Sequence, residues 1–191
     1  MQTKNIMIVG VGGQGTLLTS RILGGIARLA GYDVKVSEVH GMAQRGGSVV
    51  TYVRYGTDVA EPLVEEGQAD ILIAFERLEA LRYVHFLKKD GVLILNDQRI
   101  DPVTVITGAF PYPADIAAKL KARRRVISID AQSAAIELGN ARVFNTIIVG
   151  LVAQNLEFSK EDWLKAIEKT VPAKMIDINK EAFLFGYAQA Y

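Results

Sequence analysis

The segment Asn5-Ile-Met-Ile-Val9 is an apolar run that breaks at once into Gly10-Val-Gly12-Gly13-Gln14-Gly15. Beyond it, Leu18, Ile22, Ile26 and Leu29 recur at helical spacing. A short strand, a turn with four glycines in six positions and an amphipathic helix predict the opening of a layered α/β domain. Gly31 stands where a helix over about Thr16–Ala30 would stop. In this setting a GxGxxG turn lets backbone N–H groups and a helix N-terminus face a phosphate or another anion. Gly10, Gly12, Gly13, Gln14 and Gly15 are therefore candidate cofactor-binding positions. The plainer reading is that the glycines only permit a tight turn and close helix packing.

The rest of the chain continues the alternation. Strands are expected at Val34–Val39 and Ser48–Tyr55, the latter rich in valine, threonine and tyrosine, and they are expected to pair antiparallel. Gly56-Thr57-Asp58 reads as a hairpin-like turn. Asp70–Phe75, Glu76–Leu87 and Gly91–Leu95 form a strand, helix and strand in βαβ order. A helix over Ala114–Arg124, a strand over Val126–Ile129 and helices at about Gln132–Leu138 and Phe144–Asn155 follow. The last of these is apolar nearly all round, which predicts burial. Ser159-Lys-Glu-Asp162 resembles a capping box ahead of the stripe Trp163, Ile167, Val171. The expected architecture is α/β: one three-layer Rossmann-like domain over residues 1–191, with a mixed, mostly parallel sheet and a helical C-terminal end.

Composition narrows the function by exclusion. Lys plus Arg number 22 against 21 Asp plus Glu, so no global field draws the chain to nucleic acid or an anionic membrane. There is no cysteine, which removes disulfides, thiolate zinc sites and iron–sulfur clusters held by this chain. The start, Met1-Gln-Thr-Lys-Asn-Ile6, has no signal-peptide pattern, and no run approaches the roughly 18 apolar residues of a membrane span. A cytoplasmic protein is expected.

The second polar concentration is Ser37-Glu38-Val-His40-Gly-Met-Ala-Gln44-Arg45-Gly46-Gly47-Ser48. Glu38 lies near the end of the second strand, where a dinucleotide-binding domain places an acid on a ribose. Arg45 offers a planar fork of donors to a carboxylate or phosphate, and His40 transfers a proton near neutral pH. His40, Gln44 and Arg45 are the candidate catalytic residues, and Glu38, Gly46, Gly47 and Ser48 join the cofactor-binding set. Asn145, at the start of the buried helix, is either an ordinary early-helix residue or a polar group facing the site. No metal site is expected, since no histidine pair has ligand spacing. His85 reads as an ordinary helical residue, and Arg123-Arg-Arg125 as a solvated or interface patch near a helix end. No Ser/His/Asp set and no Walker lysine can be assembled. The chain reads as part of an active site, needing a partner to complete it.

Taken together, Ile8-Val-Gly-Val-Gly-Gly-Gln-Gly15, Glu38-Val-His-Gly-Met-Ala-Gln-Arg-Gly-Gly-Ser-Val49, Ala69-Asp-Ile-Leu-Ile-Ala-Phe-Glu76 and Ala182-Phe183 with Gly186-Tyr187 resemble the gamma-type domain of 2-oxoacid:ferredoxin oxidoreductases over nearly the whole chain. The His40–Gly47 element is similar to the indolepyruvate type and points to an aryl-pyruvate substrate. The resemblance implies a complex in which a 2-oxoacid is decarboxylated, ferredoxin is reduced and coenzyme A, as co-substrate, takes the acyl group. It places thiamine diphosphate, Mg and 4Fe-4S clusters on a larger alpha subunit, with no cofactor held by this chain alone. Ferredoxin is then met through the complex, and the chain in isolation is expected to be inactive, with a homodimer as its oligomeric alternative. Two rival readings remain at this stage: a stand-alone dinucleotide-binding Rossmann protein, and a non-catalytic scaffold subunit.

Overall fold

The computed structural model describes residues 3–41 and 46–189. Six strands form one sheet: β1 (Lys4–Val11), β2 (Asp33–His40), β3 (Ser48–Gly56), β4 (Ala69–Ala74), β5 (Leu87–Asn96) and β6 (Arg125–Ile129). The order is β2-β3-β1-β4-β5-β6, with β3 antiparallel to both its neighbours and the other pairs parallel. Five strands therefore run in one direction and β3 alone is reversed. The mixed, mostly parallel sheet matches the expectation, as does the antiparallel pairing of β2 with β3.

Alternation along the central strands builds two cores. Ile6 and Ile8 of β1, Ile71 and Ile73 of β4 and Ile94 of β5 face one side. Met7, Val9, Leu72, Ala74, Leu93 and Leu95 face the other. Strands buried on both faces lose the polar alternation of a half-exposed sheet, which is why they read as unbroken apolar runs. The first core is closed by α1 (Thr16–Leu29), α5 (Ala131–Glu137), α6 (Phe144–Ala153), α7 (Lys160–Thr170) and α8 (Ile176–Tyr187). The second is closed by α2 (Arg77–Tyr83) and α4 (Ile116–Lys121), while the short α3 (Val103–Ile106) stays exposed. Three layers result.

Helix α6 is buried from Asn145 through Ala153, as its apolar composition predicts. It meets α8 through two glycines: a Cβ on Gly150 would lie 2.3 Å from the Phe183 carbonyl oxygen, and one on Gly186 would lie 2.0 Å from that of Ile147. Ser159 caps α7 by accepting from the Asp162 amide. Among the described residues no helix is long and apolar enough to cross a membrane.

Three local expectations change. Gly56–Asp58 is not a hairpin turn, because the strand that follows β3 pairs on the far side of β1; the crossing chain is tied down where the Val59 amide donates to Asp33 Oδ2 at 3.0 Å. The helix expected to reach Leu87 ends at Tyr83, passes through a 3₁₀ turn over Val84–Phe86 and yields to β5. Strand β5 extends back across Lys88, whose ammonium meets Asp70 at 2.7 Å, so a polar stretch that reads as loop is held in the strand by β4.

Candidate functional site

β1 and β4 are neighbours, yet α1 leaves β1 toward one core and α2 leaves β4 toward the other. Such a divergence at the carboxyl ends of the strands is the usual ligand position in an open α/β sheet; here Gln14 bridges it to Phe75 and Gln98, and the open cleft lies on the β2–β3 side of the glycine turn.

The glycine turn forms one wall. Gly13 and Gly15 take φ values of +102° and +85°, which β-carbon-bearing residues rarely adopt. Gly15 is constrained twice, since a Cβ there would lie 2.4 Å from Asn145 Nδ2. Helix α1 has no side-chain cap at its start, and its first N–H groups have no intrahelical acceptor. The Gly12 amide is already used: it donates to the Gly47 carbonyl at 2.8 Å.

A cleft of about 460 Å³ lies against this turn, lined by Gly12, Gly13, Gly15, Thr16, Glu38 and His40, with Leu17 and Val49. Two sequence features some 25 residues apart thus share one surface, because β2 returns beside α1. Glu38 is exposed and accepts from Thr51 Oγ1 at 3.1 Å. His40 is exposed, with Nδ1 3.1 Å from the Gly41 carbonyl oxygen.

Other sequence candidates lie elsewhere. Gln14 is buried: its Oε1 accepts from the Val11 amide at 2.7 Å, and Nε2 donates to the Phe75 carbonyl and to Gln98 Oε1, both at 3.0 Å. Its polar atoms fasten the turn to the ends of β1 and β4. Gly10 lies inside β1, where a Cβ would meet Gln14 Oε1 at 3.0 Å and Phe75 Cβ at 3.2 Å. Asn145 is buried behind Gly15. Gly46 is exposed at φ +79°, and Gly47 serves as the acceptor already described. Ser48 turns to α2 and donates to Glu79 Oε2 at 2.5 Å. Gln44 and Arg45 lie outside the described residues.

A polar group that sequence reasoning passed over stands at the end of β4, on the α2 side of the sheet and outside the cleft lining. Glu76 is 1% exposed and caps α2, accepting from the Glu79 amide at 3.0 Å. Its other oxygen accepts from Tyr112 Oη at 2.5 Å and from the Ile100 amide at 3.2 Å. Burial pushes the Tyr112 phenol well above its ordinary range, and the bond to Glu76 adds to this. Burial likewise raises the Glu79 carboxyl, while Ser48 and Arg82 pull it part of the way back. Asn96 Nδ2 donates to the Phe75 carbonyl at 3.1 Å, and its Oδ1 accepts from the Ala131 amide. The available signal was the pair Glu76 and Glu79, set three apart directly after an apolar strand, an N-terminal helix pattern.

Chemically, the cleft offers unpaired helix N–H donors for an anion, a carboxylate for a hydroxyl and one imidazole. Among the described residues it assembles no nucleophile with a base. His85 is elsewhere, 3.6 Å from Glu66. Among the described residues no group of three or more His, Cys, Asp or Glu is placed to hold a metal ion.

Comparison with known proteins places this geometry in context. The profile of the family "Pyruvate ferredoxin/flavodoxin oxidoreductase" matches residues 5–189. The chain is 42% identical to "Indolepyruvate oxidoreductase subunit IorB" of Pyrococcus horikoshii, covering 100% of this chain and 97% of that protein. It is 25% identical to "Pyruvate/ketoisovalerate oxidoreductases common subunit gamma" of Pyrococcus furiosus, over 93% and 92% of the two chains. The fold superimposes, with a TM-score of 0.71 at 19% identity, on 2-oxoglutarate:ferredoxin oxidoreductase from Magnetococcus marinus, solved with 2-oxoglutarate, coenzyme A and succinyl-CoA bound. That match spans 98% of this chain and 31% of the other.

Proposed function

The chain belongs to the pyruvate ferredoxin/flavodoxin oxidoreductase family, and on that premise we propose that it is the small subunit of an indolepyruvate-type 2-oxoacid:ferredoxin oxidoreductase, active only beside a larger subunit. The observation that carries the proposal is full-length identity of 42% to an indolepyruvate oxidoreductase subunit, against 25% to a pyruvate/ketoisovalerate gamma subunit.

The residues present do not fit the redox cofactors such an enzyme needs. Iron–sulfur clusters require thiolates, and the chain has no cysteine. The clusters are therefore assigned to the larger subunit, thiamine diphosphate and Mg are assigned there with them on this reading, and no step of their chemistry is routed through this chain. In the balanced reaction the C–C bond of the 2-oxoacid breaks to release CO₂, two electrons reach two oxidised ferredoxins one at a time, and the acyl group joins the coenzyme A sulfur as the thiol proton is released. What this chain contributes is binding. The start of α1 lines the cleft, and its first N–H groups suit a coenzyme A phosphate, with Glu38 in the same lining as an acceptor for a hydroxyl beyond it. His40, and Arg45 in the adjoining segment, are assigned to orienting the substrate carboxylate or coenzyme A at the partner's reaction centre.

The stand-alone dinucleotide reading is weaker, because the Gly12 amide that a pyrophosphate would approach is donated to Gly47. Anaerobic co-purification from the native host, followed by an assay of indolepyruvate-dependent viologen reduction, tests the proposal. Recovery of a large thiamine- and iron-containing subunit with that activity supports it. A solitary chain that binds NAD or FAD overturns it. A scaffold role predicts instead that alanine at His40 and Arg45 weakens assembly but leaves turnover of the assembled complex intact.

A further inference from the structure

β2 is an outer strand of the sheet. β3 pairs with it along all eight residues, from Asp33↔Gly56 to His40↔Val49 with no register shift, and no described strand pairs with its other edge. Eight residues leave roughly 26 Å of backbone edge open, at about 3.3 Å per residue. Soluble proteins blunt such edges with proline, a bulge, short length or an outstretched lysine. β2 has no proline and no bulge, and its single lysine, Lys35, is folded onto Asp33 at 2.8 Å. Val36 and Val39, on opposite faces of the strand, are 45% and 55% exposed.

Beside this edge, between α1, β2 and α7, runs a groove of about 480 Å³ lined by Leu17, Arg21, Gly24, Arg28, Val36 and Lys169, with four further residues and no carboxylate among them. Gly24 packs over the strand, where a Cβ would stand in ordinary contact at 3.6 Å from both Val34 and Val36. Among the described residues Arg21, Arg28 and Lys169 have no ion-pair partner. Leu17 also lines the cleft of the candidate site, so groove and cleft adjoin at that residue.

We propose that β2 is a docking edge on which an extended, acidic segment of the larger subunit adds a seventh strand, laying its carboxylates along Arg21, Arg28 and Lys169. The proposal rests on the reading of the chain as a small subunit. Charge selects this occupant over a second copy. Two β2 edges paired antiparallel are related by an axis perpendicular to the sheet, which brings both α1 helices to the same face. Arg21, Arg28 and Lys169 of one copy would then confront the same cations of the other, and like charges across an interface are costly. An acidic strand meets the same groove favourably. Its arrival also covers the open flank of the cleft near Glu38 and His40, so the partner that brings the reaction centre completes the pocket.

The test uses the full-length chain and its larger subunit, with residue-resolved hydrogen exchange on Asp33–His40 and affinity titrations of wild type and of R21E/R28E, both altered residues being exposed. Circular dichroism and thermal melting establish that the variant is folded, and R21Q/R28Q serves as a milder second variant. The expected result is slowing of the outward-facing β2 amides by ~10-fold or more in the complex, with the charge reversal weakening assembly by about 100-fold at low salt and less in high salt. A tight, active complex in which β2 exchange is unchanged overturns the docking edge and leaves the small-subunit reading standing. A free homodimer with protected β2 amides also overturns it, in favour of a second copy. Failure of any larger subunit to bind sinks both.

Discussion

Ser48 Oγ donates to Glu79 Oε2 at 2.5 Å, tying the first residue of β3 to the buried face of α2. A second tie lies one residue earlier, where the Gly47 carbonyl accepts from Gly12. The segment joining β2 to β3 therefore re-enters the sheet through a clamp shared by the glycine turn and α2, and what loosens either tie acts on the cleft.

Replacing Glu79 by glutamine flattens the stability of the protein against pH. Burial raises the Glu79 carboxyl, so over the interval between its unfolded and folded values the fold binds more protons than the unfolded chain. Stability contributed by this group accordingly falls as pH rises through that interval and is lowest above it. Glutamine removes the loss while keeping a hydrogen bond to Ser48. The expected outcome is a Tm equal to wild type or a few degrees higher at pH 7, with the difference vanishing at pH 4. Scanning fluorimetry across pH 4–8 checks it, and a difference that grows toward low pH would sink it.

Gly15→Ala destabilises the fold by about 2–4 kcal/mol, combining a left-handed φ with a clash against Asn145. Asn145→Ala in the same chain removes the clash and leaves the φ strain, so the double variant recovers part of the loss. A double-mutant cycle by urea denaturation reads the coupling. Additive effects would show that Asn145 does not bear on the turn.

Gly186→Ala abolishes folding or costs more than about 4 kcal/mol, because the new methyl meets backbone of α6 and has no flexible side chain to displace. Soluble yield and circular dichroism are the readouts. A well-folded variant would mean that α6 and α8 separate easily.

In the assembled complex, Glu38→Gln raises KM for coenzyme A by about 5–20-fold with kcat nearly unchanged, the pattern of a lost uniform binding contact. Thr51, which shares the Glu38 carboxylate, tolerates valine with a smaller effect. Steady-state kinetics with coenzyme A varied checks both, and an unaltered KM removes Glu38 from the binding set.

The strand, turn and helix that open the chain were legible because an apolar run, four glycines and a 3.6-residue period agree over one short window. The β2–β3 pairing was legible from β-branched composition. The placement of β3 between β2 and β1 was not, since local sequence carries no record of which strand a hairpin turns toward. Gln14 shows the same limit at the scale of one side chain. Its neighbours in sequence mark it as part of a ligand turn, while its bonds to Phe75 and Gln98 lie 61 and 84 positions away and decide that it points inward. Glu76 escaped notice for a related reason: Tyr112 and Ile100, which justify burying a carboxylate, are far along the chain.

Because β3 is the one reversed strand among the described six, β2 ends and β3 begins at the same rim as the carboxyl ends of β1, β4, β5 and β6, whereas the connection from β3 to β4 crosses the opposite rim. The chain thus re-enters the sheet beside the glycine turn, where the Gly47 carbonyl accepts from the Gly12 amide. Substrate preference among related subunits is expected to track the 41–47 connection while the opposite rim drifts neutrally.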